Sequence, residues 1–166
     1  LAPVRPTYAG LATAFTIDKP LPLGLTFNTA TGEITGTPTA IASAATYTVT
    51  ASNTGGSATS SITITVVKAN STITATGAIS YSYTGAPQGP STATVVGSTG
   101  ALTYVYRGTG ATTYGPSATA PTGVGSYEVV ATVAADANYN GASSVALAFV
   151  ISNSTPAPSA LTYTGS

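Results

Sequence analysis

Apolar and polar positions alternate with a period of two through most of this chain. In SITITVV, Ile62, Ile64 and Val66 fall on one face and Ser61, Thr63 and Thr65 on the other. TYTVTAS repeats the pattern with Tyr47, Val49 and Ala51, and ALTYVYRG with Leu102, Tyr104 and Tyr106. SYEVVATV aligns Tyr127, Val129, Ala131 and Val133, and VALAFVI aligns Val145, Leu147, Phe149 and Ile151. Val, Ile, Thr and Tyr suit a pleated, half-buried surface. No window carries a helical stripe free of Gly, Pro or β-branched runs, so the pattern predicts an all-β protein.

Turn chemistry breaks these segments at short intervals. TGE at 31–33, NTGG at 53–56, STG at 98–100 and GTG at 108–110 place Gly where a positive φ is wanted. In GLTFNTATGEITGTP, Leu25 and Phe27 alternate inward, NTATG turns the chain, and Ile34 returns to the same core. Gly36 and Pro38 end the returning strand, so the stretch predicts a β-hairpin whose loop sets its register. Short strands separated by such turns favour sandwiches.

A length of 166 residues suits one large or two small domains. Composition narrows the function classes. Charged residues make up 5% of the chain, against roughly 25% in ordinary globular proteins. Four cationic and four acidic side chains cancel, leaving no basic field to attract nucleic acid or anionic lipid. The hydrophobic fraction of 43% still suffices for packed cores. Without Cys, no disulfide staples the fold, and without Cys or Met the most oxidisable side chains are missing, as suits a long-lived exposed protein. No run of about 18 apolar residues suggests membrane insertion.

The chain also repeats itself. NST occurs at Asn70 and at Asn153, each time after a strong strand pattern and before a stretch ending in YTG, at Tyr83 and Tyr163. The same interval counted back from Asn70 falls ahead of Leu1. The expected frame is therefore rotated. Residues 1–68 form a domain lacking its first strand, 69–152 form a second domain, and 153–166 are a linker plus the first strand of a following domain.

LPLGL at 21–25, TGEITGTP at 31–38, YTVTASN at 47–53 and GG at 55–56 together resemble an immunoglobulin-like repeat of bacterial surface proteins, related to dystroglycan-type cadherin-like domains. That resemblance covers residues 1–68. YTGAPQGP, LTYVYRG, TYGPSATAPTGVGSYEVVATV and DANYNGASS make residues 70–152 similar to MBG-type adhesin repeats. The resemblance implies two tandem Ig-like β-sandwich domains, the second alternatively β-grasp-like, in a secreted and mostly non-enzymatic protein at the cell surface.

The search for chemistry gives little. Asp18, Glu33, Glu128 and Asp136 are scattered over two predicted domains, unlike the facing pair of a glycosidase. No His or Cys is present to activate a Ser, and Lys19 and Lys68 lack the burial that would make either a base. DANYNG at 136–141 has alternating oxygen donors but no distal Glu to complete a calcium loop. No catalytic residue, metal or cofactor is expected. Tyr47, Tyr104, Tyr106 and Tyr127 read as core, whereas the loop residues Tyr114 and Tyr139 are the candidate surface contacts. Asn70 and Asn153 head glycosylation sequons.

These readings converge on a structural repeat unit of an extracellular adhesin, stalk or filament. Its expected partners are copies of itself, or neighbouring repeats, joined head to tail. Leu161 and Tyr163 alternate in the closing segment, which either pairs as a donated strand with a neighbouring subunit or continues covalently into a next repeat. The alternative is a module whose loops bind a glycan or host surface.

Overall fold

The computed structural model describes residues 2–7 and 10–153. Every regular element among them is a strand, as the alternation predicts. The chain divides into two units. The first comprises Leu1–Ala69 with Ala137–Asn140, and the second Asn70–Asp136 with Gly141–Ser166.

The first unit contains β1 (Ala14–Ile17), β2 (Leu25–Phe27), β3 (Ile34–Gly36), β4 (Ala42–Asn53) and β5 (Gly56–Val66). β4 lies between β1 and β5 in an antiparallel sheet. The β4–β5 connection is the predicted NTGG turn, in which Asn53 Oδ1 accepts the Gly55 N–H at 2.8 Å. β2 and β3 form the predicted hairpin, with Phe27 opposite Ile34. Its loop is held by Asn28, whose Oδ1 accepts the N–H groups of Ala30 and Thr31 at 2.9 and 3.2 Å.

The glycines of LPLGL and TGEITGTP have a steric cause. Gly36 (φ +116°) lies opposite Leu25 and next to the carbonyl of Gly24 (φ +88°). A Cβ at Gly36 would collide with the Gly24 carbonyl oxygen, and one at Gly24 with that of Thr37. Only residues without a side chain allow this approach. The hairpin thereby delivers Leu25 and Ile34 to a core completed by Phe15 and Tyr47.

β3 has β2 on one side and Val4 on the other. Val4 and Ile34 form an antiparallel bridge, each N–H donating to the other's carbonyl at 3.2 and 3.0 Å. β5, an outer strand of its sheet, pairs with β4 along one edge and has no described strand along the other.

The second unit contains β6 (Thr72–Thr76), β7 (Ser80–Ser82), β8 (Thr92–Val96), β9 (Leu102–Gly108), β10 (Gly125–Val133), β11 (Ala142–Ser143) and β12 (Leu147–Ser152). β10 is central, with β9 on one flank and β11 and β12 sharing the other. Its alternation is complete: Tyr127, Val129, Ala131 and Val133 are all buried. Tyr127 stacks on Phe149 at 5.5 Å between centroids, and Tyr106 and Tyr81 meet Phe149 edge-on. The β6–β8 pair places Ile73 and Ala75 against Ala131 and Val133. Two β layers, with no helix among the described residues, favour the sandwich over the β-grasp alternative for this unit.

One pairing in this unit matters below. β7 runs parallel to the last strand, β12, with Ile151 opposite Tyr81. The Val150 N–H donates to the Ile79 carbonyl, and the Tyr83 N–H to that of Ser152. The outer edge of β12 is thus covered by the unit's own opening segment.

Candidate functional site

The uncovered edge of β5 borders a groove of about 500 Å³ inside the first unit. Alternation explains its floor. Ile62 lies opposite Tyr47, Ser60 opposite Val49, and Ala58 opposite Ala51. Paired residues share a face, and Tyr47 is buried, so this row points to the core side of the sheet. Yet Ala58 and Ser60 are exposed, and Val49, Ala51 and Ile62 are only half-buried. Phe15 and Ile34 close the deep end, and Val4 to Thr7 form the opposite wall. Among the described residues, the core side of this sheet is covered at Phe15 and open at Ala58 and Ser60.

The groove carries little charge. Its one ionic side chain, Arg5, is turned to Glu33, with Nε donating to Oε1 at 3.0 Å. Such a surface suits an uncharged, apolar, extended occupant whose backbone pairs with an open edge.

Polar side chains elsewhere are engaged structurally. Asp18 Oδ1 accepts the Thr48 N–H at 2.9 Å and lies beside Lys19, which also sits 5.3 Å from the centre of the Tyr47 ring. Glu128 pairs with Arg107. Asp136 Oδ2 accepts both the N–H and the hydroxyl of Thr99, at 2.8 and 3.2 Å. The four carboxylates are not gathered, and among the described residues no three metal-ligating side chains cluster.

The candidate contact tyrosines fall in different units. Tyr114 is half-buried; its hydroxyl donates to the Thr119 carbonyl at 2.6 Å, and its ring meets Tyr127 edge-on at 5.8 Å. Tyr139 is half-buried and forms a parallel bridge with Ala69, flanked by bonds from Ala69 N–H to Asn138 and from Asn140 N–H to Ala69. The sequon residues Asn70 and Asn153 are exposed. Leu161 and Tyr163 lie outside the described residues.

Burial raises the pKa of three phenols in the second unit. Tyr106, Tyr127 and Tyr81 are all pushed above the usual tyrosine value, chiefly by desolvation. Neighbouring tyrosines add to the shift for Tyr106 and Tyr127. These are packing groups, not a titrating site.

The family model described as "Putative Ig domain" matches residues 2–67. Over those residues the first unit is similar to an Ig domain. That match spans the hairpin, both long strands and the residues that line the groove. No curated protein and no solved structure matches the chain. The alternation had already placed Val49, Ala51 and Ile62 on the core face, but it missed the groove. Ala58 and Ser60 look like ordinary surface residues until the register sets them opposite Ala51 and Val49.

Proposed function

We propose that the chain is a non-enzymatic structural repeat unit of a bacterial extracellular adhesin, stalk or filament, assembled head to tail by strand complementation. In this reading the Ig-like unit is followed by an MBG-type adhesin repeat over residues 70–152, and the partners are further copies of the chain. The observation that carries it is the open edge of β5 beside a row of exposed core-side residues, Ala58 and Ser60. An edge of this kind is a template for another strand. A heterologous contact between two different surfaces of one molecule propagates into an open filament unless its rotation closes a ring.

The surface-binding alternative rests on Tyr114 and Tyr139, and Tyr114 already spends its hydroxyl and ring face inside its own unit. Assembly is therefore the better supported reading. Light scattering and electron microscopy of the purified chain across a concentration series test it. Growth of mass with concentration and one-dimensional particles are expected. A chain that stays monomeric throughout refutes it.

A further inference from the structure

The second unit offers a precedent for a strand added at such an edge. There, the opening segment AISYSYTG (78–85) adds in parallel to the outer edge of the last strand. Tyr81 turns inward against Phe149, the Ile79 carbonyl accepts one ladder bond, and the Tyr83 N–H donates another. The first unit has a last strand with a free edge and a groove beside it, but no described strand in that position.

Residues 159–166, SALTYTGS, carry the same closing tripeptide as AISYSYTG. Aligned on YTG, Leu161 takes the place of Tyr81, Tyr163 that of Tyr83, and Ser159 that of Ile79. Leu161 and Tyr163 share one face of an extended strand. No residue from 156 to 166 is charged, which matches a groove whose only ionic side chain is already paired. The small side chains of Ala51, Ala58 and Ser60 leave the floor low where large ones must enter.

The order of segments decides whose strand it is. Residues 70–83 precede the unit they complete. By the same order, residues 153–163 would complete an Ig-like unit that comes after them, and a second copy of the chain offers one. We infer that the groove beside β5 is the acceptor site for residues 159–163 of a second copy, added parallel to β5 with Leu161 turned into the groove. This deepens the assembly reading above and rests on it.

Two variants of the full chain test the inference. Leu161→Asp spoils the donor and leaves the groove intact, and Ser60→Trp fills the groove and leaves the donor intact. Each alone is expected to remain monomeric in sedimentation at concentrations where the unaltered chain assembles. Mixed one to one, they are expected to give a species of about twice the monomer mass, because one intact groove meets one intact tail. Should Ser60→Trp fail to fold, a labelled peptide of residues 156–166 replaces it, with saturable binding to the Leu161→Asp chain expected and at least tenfold weaker binding of the Leu161→Asp peptide.

The outcomes separate the two claims. If the unaltered chain assembles and Leu161→Asp assembles equally well, this acceptor site is wrong while assembly through another surface stands. If the unaltered chain is monomeric and Leu161→Asp lowers the melting temperature of the first unit, the groove takes its own tail and the second copy is excluded.

Discussion

Replacing Tyr106 by Phe separates a buried hydrogen bond from the packing around it. Tyr106 is 3% exposed, and its hydroxyl donates to the carbonyl of the buried Pro90 at 2.7 Å. Phe keeps the ring that meets Phe149 edge-on at 6.2 Å. What it removes is the donor, leaving a buried carbonyl unsatisfied at a cost of about 1–3 kcal/mol. In a domain of this size each kcal/mol lowers the melting temperature by roughly 4–8 °C.

The pH dependence makes the test sharper. Burial, aided by Tyr104, Tyr81 and Tyr114, raises the folded-state pKa of Tyr106 above its unfolded value near ~10. A raised phenol stabilises the fold below pH ~10. Above it the unfolded chain releases a proton that the folded one retains, so stability falls at about 1.4 kcal/mol per pH unit until the folded pKa is reached. The Phe variant lacks that loss. Tyr81 and Tyr127 decline in both proteins, so the difference isolates Tyr106. Urea unfolding followed by circular dichroism from pH 7 to 11 is expected to show the variant less stable at pH 7 and the gap closing above pH ~10. A gap that stays constant or widens with pH refutes the reasoning.

Three further outcomes are expected. Phe15→Ala empties a site 1% exposed and costs the first unit about 3–5 kcal/mol, read as a urea transition that shifts while that of the second unit does not. Gly36→Ala forces a side chain into a φ of +116° and against the Gly24 carbonyl, and lowers the stability of the first unit by more than about 2 kcal/mol in the same assay. Asp136→Ala removes the acceptor of two Thr99 hydrogen bonds, and a thermal melt is expected to show a loss of about 1–2 kcal/mol confined to the second unit.

The strands were legible because period-two alternation is a direct trace of one covered face. β10 is the clearest case, since its four predicted inward residues are all buried. The same rule overran at Val145, which is 88% exposed. The Ser144 N–H and hydroxyl both bond to the Ala131 backbone, and the ladder to β10 resumes only at Leu147, so Val145 falls in the gap. Tyr114 shows another limit. Its position between turn residues suggests an exposed ring, yet packing on Tyr127 is a long-range contact that local spacing does not encode. The groove was least legible of all, because alternation assigns a residue to a face without saying whether anything lies over that face.

Composition explains why the open edge of β5 reads as a place for pairing. Proteins that must keep an edge strand solitary blunt it with Lys, Pro, inward charges or a bulge. β5 runs Gly56–Val66 as GSATSSITITV, without a single charged residue or proline along its length. Its only ladder irregularity lies on the partner strand between Ala42 and Ala45, well away from the groove end at Ala58 to Ile62. The second unit deals with the equivalent edge differently, covering β12 with β7. One chain therefore holds the same edge in two conditions, occupied in one unit and unguarded in the other. An edge next to core-side residues left in water forgoes the gain of burying their apolar area, and strand addition would supply that gain. Under the proposed assembly, a β5 without charge or proline leaves its ladder open to an arriving strand.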